Sequence, residues 1–319
     1  MFRNIVQVLT ADEIIDKSLK KTNKVQIIDR NALYRKKKTI IAKTESFSNT
    51  VISTLEKYVK DFPSINNLPQ FYQELIDIKI SVDKLKKALG AVDWARKTCQ
   101  MIYSKQSRSL KKSSNIDFLI KKQQEIYGRI SSVVRQIDKE LDVLIDAQNI
   151  LKKFPDIKDI PTVVIAGYPN VGKSSLLKCL SSAKPKIAQY PFTTKEIYVG
   201  HIERKKRHII ERYQIIDTPG LLDRPISKKN DIEKQAMAAL SHLADIIIFL
   251  IDPTETCGYS LSDQMHLLTQ LKNMFVDSSF IVVENKSDLN KADSKNLKVS
   301  CESGEGIKNL IEIIFSSFN

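Results

Sequence analysis

The chain of 319 residues is 42% apolar and 28% charged, enough for more than one buried core and inconsistent with a disordered chain. Its net charge of +14 is uneven, because residues 1–160 carry 31 Lys and Arg against 19 Asp and Glu. A positive field clustered in one half attracts phosphate-rich partners, and a solvated lysine-rich surface is the alternative reading. Cys99, Cys179, Cys257 and Cys301 form no C-x-x-C pair and accompany no histidine cluster, so neither a zinc site nor a disulfide framework is indicated and reduced thiols are expected. No window approaches the ~20 apolar residues of a membrane span and the N-terminus has no signal-peptide pattern, so a cytoplasmic protein without a membrane partner is expected.

The first half reads as helix. A short helix near Asp12 to Lys20 precedes a long amphipathic one, in which Phe47, Val51, Leu55 and Val59 recur at one-turn spacing. The prolines of Asp61 to Pro69 break that pattern, and a second long helix is expected from Phe71 through Tyr103. After the polar corner SLKKSSN a third runs from Ile116 to Lys153, with Ile120, Ile126, Ile130, Val133, Ile137, Leu141, Leu144 and Leu151 as its apolar set. Three long helices joined by short turns predict an antiparallel bundle over residues 1–157. The basic run Arg35 to Lys38 starts one of them and suits a phosphate backbone, or else a solvated face.

Between Pro155 and Pro161 the texture changes. Apolar strands (TVVIAG, EIYVGHIE, RYQIIDT, DIIIFLID, FIVVEN, NLKVS) then alternate with helices at Ser174 to Leu180, Asp231 to His242, Leu261 to Met274 and Gly306 to Phe318. Alternation of this kind predicts a mostly parallel α/β sheet over residues 158–319. The expected fold is therefore α plus α/β, a helical bundle followed by a P-loop domain.

GYPNVGKSS places Gly167, Gly172, Lys173 and Ser174 in the G-x-x-x-x-G-K-[ST] pattern, directly after a strand and opening a helix. Such a loop wraps a phosphate with backbone N–H groups at a helix N-terminus. Gly167, Pro169, Asn170, Val171, Gly172, Lys173, Ser174 and Ser175 are the expected cradle, with Lys173 on the β/γ oxygens and Ser174 on Mg²⁺. The loop alone does not choose the base. NKSD does so, since Asp288 at the end of an apolar strand can accept both N1–H and N2–H₂ of guanine, a pair that adenine does not offer. Asn285 is expected to tie this segment to the phosphate loop and the stem of Lys286 to cover the base. Backbone N–H groups near Ser300 and Cys301, in SCESGEG, are expected to donate to guanine O6, with a helix-capping turn as the alternative.

Asp217 in DTPGLLDRP is expected to reach Mg²⁺ through water, and the Gly220 N–H to meet the γ-phosphate. Thr194, with Thr193 as the alternative, is expected to ligate the same metal. Lys173, Thr194 and Gly220 then form the catalytic set. Leu221 stands where many GTP hydrolases place the glutamine that orients water, and leucine cannot polarise water.

Taken in order, GYPNVGKSS, YPFTTK, DTPGLLDRP, NKSDL and the SCES turn resemble the Obg-like branch of translation-factor-class GTPases. VLTADEIIDKSLKKT, GYPNVGKSSLL, YPFTTKEIYVGHI, IEKQAMAALSHLAD and DPTETCGYSLSDQ narrow the resemblance to the nucleolar GTP-binding protein 1 (Nog-type) family, in a compact, archaeal-like form. It implies binding of GTP and GDP with Mg²⁺, slow hydrolysis of GTP, and a basic bundle that docks on ribosomal RNA of the large-subunit precursor, with the protein a monomer off the ribosome. Asn170 resembles asparagines that help bind K⁺ in related GTPases, against the plainer reading of an Asn turn. Two other functions compete: a non-catalytic RNA-binding scaffold, and a translation or stress regulator on the mature ribosome.

Overall fold

The computed structural model describes residues 2–190, 196–206, 209–289 and 294–318. It divides into two compact units, one of Met1–Asn67 with Ile80–Lys152, the other of Leu68–Lys79 with Lys153–Asn319.

The first unit holds α1 (Ala11–Asn23), α2 (Ala32–Asp61), α4 (Val82–Lys112), α5 (Ile116–Gln136) and α6 (Asp138–Leu151), while α3 (Gln70–Ile80) falls almost wholly in the second. Local polar chemistry sets the helix starts. Thr10 and Glu13 form a capping box on α1, and the Asn31 and Asn115 side chains accept the first free N–H groups of α2 and α5. Inside lie Ile14, Val51, Leu55, Leu85, Val92, Ile126, Ile130, Leu141 and Leu144. On the first turn of α5 it is Leu119 that is fully buried, not the expected Ile120.

Two helices expected to be continuous are interrupted. At Ser81 the backbone takes φ 66, a left-handed conformation that interrupts the helical run between α3 and α4. At Ile137 the helix stops, and Asp138 opens α6 with its Oδ1 accepting the Ala11 N–H at 3.2 Å. The buried Gln148 side chain on α6 bonds the backbone of Ile5, Val6 and Val8. These partners lie far away in sequence, and so no local periodicity announced either break.

The expected boundary at residue 157 ran α3 into the bundle. In the structure Phe71, Tyr72, Leu75 and Ile76 of α3 are buried within the second unit. The Tyr72 hydroxyl accepts the Ile157 N–H at 2.8 Å and lies 2.8 Å from the Pro155 carbonyl oxygen, while the Tyr72 ring stacks on Phe154. The Phe71 ring centroid sits 6.2 Å from that of Tyr190.

Among the described residues the second unit is built on seven strands: β1 (Thr162–Ala166), β2 (Lys186–Gln189), β3 (Glu196–Lys206), β4 (Ile209–Asp217), β5 (Ile246–Ile251), β6 (Ser279–Glu284) and β7 (Leu297–Lys298). Their order is β2-β3-β4-β1-β5-β6-β7. β4, β1, β5, β6 and β7 run parallel, and among the described strands β3 alone runs opposite, pairing antiparallel with β4 and with the edge strand β2. The fold class is that expected from the alternation of strands and helices. β1 and β5 are buried along their whole length, as central parallel strands must be. The helices of this unit are α7 (Lys173–Leu180), α8 (Asp231–Ser241), α9 (Leu261–Met274) and α10 (Ile307–Ser317). β1 pairs with β4 on one side and β5 on the other, so the loop leaving its carboxyl end opens where the strand order reverses.

Candidate nucleotide-binding site

The loop after β1 has the backbone that a phosphate cradle requires. Gly167 has φ 138 and Gly172 φ 104, both outside the range of ordinary side chains. A Cβ on Gly167 would collide with the Leu250 carbonyl oxygen, and one on Gly172 with the Asn285 amide. Gly172 is the N-cap of α7 and supplies no side chain to it, which leaves N–H groups of the first turn directed at the loop. Asn170 is exposed at φ 63, a conformation asparagine tolerates. Pro169 is half-buried, Val171 buried and Ser175 exposed. Lys173 is buried and its ammonium folds back over the loop, 2.7 Å from the carbonyl oxygens of both Gly167 and Tyr168.

Ser174 and Asp217 meet at the carboxyl end of β4, where the Ser174 hydroxyl donates to Asp217 Oδ2 at 2.6 Å. Asp217 is fully buried. Burial pushes its carboxyl up, opposed by the Ser174 hydrogen bond and the Lys173 charge, while the nearby Asp223 carboxylate pushes it further up. Among the described residues, its Oδ1 and the Thr218 hydroxyl are buried without a hydrogen-bond partner. An orphaned carboxylate oxygen beside a phosphate-loop serine is the oxygen-only donor set that suits Mg²⁺, so these residues fit the metal the sequence implied. Thr193 and Thr194, the other expected contributors, lie outside the described residues.

The base-reading segment is locked to the phosphate loop. Asn285 donates through Nδ2 to the Val171 carbonyl at 2.8 Å, and its Oδ1 accepts the Cys301 N–H at 3.3 Å. One buried amide thus holds the phosphate loop, NKSD and the SCES turn together, in the tying role the sequence assigned to Asn285. Asp288 is exposed at the end of the segment. The SCES turn differs from expectation. The Ser300 N–H donates to the Glu305 carbonyl at 3.0 Å and the Cys301 N–H to Asn285, so both donors expected for guanine O6 serve to close the turn. The buried Ser300 hydroxyl accepts the Ser303 N–H inside the turn, while the following helix is capped by Gly306 without a side-chain bond, so Ser300 does not act as the helix cap that the sequence reading held as its alternative.

Sequence reasoning missed Asp252, at the end of β5. It is fully buried and accepts from the Thr254 N–H and hydroxyl, the Thr256 hydroxyl, the Cys257 N–H and the Lys286 ammonium, the last at 2.6 Å. Burial pushes its carboxyl up, but the hydrogen bonds from Lys286, Thr254 and Thr256 outweigh that and hold it below the usual carboxylate value. Lys286, itself at φ 62, is pinned at its far end to Asp252 and Thr256, so its stem has a set course. The same loop sends Tyr259 against Tyr168 of the phosphate loop, with ring centroids 4.3 Å apart. The available signal was an Asp directly after an apolar strand, in DPTET.

Comparison with known proteins places the chain in a family. The model of the NOG1 N-terminal helical domain matches residues 2–158, and the model of nucleolar GTP-binding protein 1 (NOG1) matches residues 231–288. The chain belongs to the nucleolar GTP-binding protein 1 family. It is similar to an uncharacterized protein of Methanocaldococcus jannaschii, with 38% identity over 292 residues, covering 90% of this chain and 81% of the relative. It is also similar to nucleolar GTP-binding protein 1 of Encephalitozoon cuniculi, at 32% identity, and of Saccharomyces cerevisiae, at 30%. Those matches cover 92% and 90% of this chain but only 58% and 44% of the two eukaryotic proteins. Among the described residues no helix is long and apolar enough to cross a membrane.

Proposed function

We propose that this family member is a guanine-nucleotide switch and slow GTP hydrolase that acts on the precursor of the large ribosomal subunit, with its basic helical unit docking on ribosomal RNA. The observation that carries the nucleotide reading is the Asn285 amide, which bonds the phosphate loop and the SCES turn to the base loop. The loop residues 167–175 hold the phosphates, Asp288 reads the guanine edge, and Lys286 covers the base. Ser174 and Asp217 would hold Mg²⁺, with Thr194 or Thr193 as a further ligand. When bound, the metal would supply charge neutralisation at the phosphates. Leu221 is buried and supplies no polar group, so hydrolysis depends on Lys173, backbone donors and a further cation or ribosomal group. K⁺ beside Asn170 is one such cation.

The ribosomal part rests on the relatives' names and on the charge of residues 1–160. Co-sedimentation with ribosomal particles, in GDP and in a non-hydrolysable GTP analogue, tests it. Nucleotide-dependent recovery on large-subunit precursors is expected, and recovery on mature ribosomes alone would point to translation control. Absence of GTP turnover, in either K⁺ or Na⁺, would favour the scaffold.

A further inference from the structure

The segment Thr218–Pro225 has a polar residue that the nucleotide reading leaves unused. Leu221 and Leu222 turn inward, 1% and 0% exposed, and the Leu222 carbonyl accepts the Gly167 N–H at 3.1 Å. This fastens the turn to the first residue of the phosphate loop. The next residue, Asp223, folds back so that its Oδ2 accepts the Gly220 N–H at 2.7 Å. Asp223 is 6% exposed, so its charge is little screened by solvent. That charge is felt at the metal-site carboxylate, since Asp223 is among the groups pushing Asp217 up, after burial. Lys229, also buried, reaches the same glycine, with its ammonium 3.4 Å from the Gly220 carbonyl oxygen.

The Gly220 N–H is thus held by an anion that belongs to the protein. We propose that Asp223 is a specificity-determining residue of this site, a built-in competitor that occupies the Gly220 N–H and must be displaced before the third phosphate of GTP can use it. The inference rests on the guanine-nucleotide reading above and deepens it. One N–H cannot serve two anions, and a carboxylate next to an incoming phosphoryl oxygen repels it. GDP makes no demand on Gly220 and binds with the Asp223 contact intact. GTP binds only as Asp223 withdraws, which couples the third phosphate to a rearrangement of residues 220–229. Asp223 therefore biases the site towards the diphosphate and gives the triphosphate a structural consequence, without any group at Leu221.

The test uses the full chain with Mg²⁺, a fluorescent GDP and a fluorescent non-hydrolysable GTP analogue. Asp223→Asn keeps the shape and an acceptor oxygen but removes the charge, and Asp223→Ala removes both. The ratio of the two dissociation constants is expected to move towards the triphosphate at least tenfold in Asp223→Ala, and by a smaller factor in the same direction in Asp223→Asn. GDP affinity should stay within about twofold, which a merely structural role would not preserve. An unchanged ratio, or parallel loss of both affinities in variants that still melt cooperatively, would overturn the inference while leaving the guanine reading intact. Failure of the unaltered chain to prefer guanine over adenine nucleotides would overturn the reading, and the inference with it.

Discussion

Asp252 shows how one buried carboxylate can govern a residue 34 positions away. Its bond to Lys286 is charge-assisted and short, and the same oxygen is held by Thr256 and Cys257, so the lysine has little freedom of its own. Asp252→Asn removes the charge that fixes Lys286. GDP affinity is expected to fall roughly tenfold and stability by about 1.5–3 kcal/mol, the range for hydrogen bonds to charged groups, read by nucleotide titration and chemical denaturation. Because the folded carboxyl sits below its unfolded value of about 3.9, this contribution is present above that pH and is lost only as the pH falls through the lower folded value. GDP affinity should then be insensitive to this group between pH 8 and 5. At Gly172 the constraint is steric as well as conformational, since a side chain would meet the Asn285 amide. Gly172→Ala is expected to separate the phosphate loop from the base loop and abolish detectable GDP binding, measured by calorimetry, while the helical unit keeps its far-ultraviolet circular dichroism.

Among the elements, α3 is the one whose place in the chain and place in the fold disagree. It is encoded between α2 and α4, yet its apolar face belongs to the second unit. There Phe71 packs near Tyr190, whose hydroxyl donates to the Ala236 carbonyl of α8 at 2.8 Å, and Glu74 meets His242 just past α8 at 2.8 Å. Tyr190 immediately precedes the segment of Thr193 and Thr194, and α8 follows the one containing Gly220, so α3 rests on the flanks of both expected phosphate sensors. Phe71→Ala should cost about 3–5 kcal/mol, as for other large buried aromatics, and lower the melting temperature of the second unit. A fragment of residues 153–319, lacking residues 68–79, is likewise expected to bind GDP weakly and to aggregate on heating, with turbidity as the readout. Full nucleotide affinity in that fragment would show α3 to be dispensable. The prolines at 63 and 69 marked the helix start in the sequence, but nothing local marked its end, because the break at Ser81 is a left-handed residue without a glycine to announce it.

At the scale of the whole molecule, charge and nucleotide chemistry are divided between two halves of the chain. If residues 1–160 dock on RNA through Lys and Arg, affinity should fall steeply with salt, by about three orders of magnitude between 50 and 200 mM for six or so phosphate contacts. Filter binding with a large-subunit RNA fragment measures the slope, and a flat response would remove the electrostatic anchor. The phosphate loop, the NKSD segment and the alternation of strands and helices were legible in the amino-acid order because each depends on the backbone or side-chain chemistry of neighbouring residues. Gly167 and Gly172 need their unusual φ values wherever the loop is placed, and an apolar run followed by polar residues marks a strand end by itself. What only the tertiary structure decided were partnerships between distant residues: Asp138 with Ala11, Gln148 with the N-terminal backbone, α3 with the second unit and Asp252 with Lys286. Asp223 shows the same limit at short range, since its distance from Gly220 in sequence does not reveal that the turn folds it back onto that N–H. Local patterns specify which conformations a segment prefers, whereas burial and hydrogen-bond satisfaction select the partner, and that selection is made only when the chain has closed on itself.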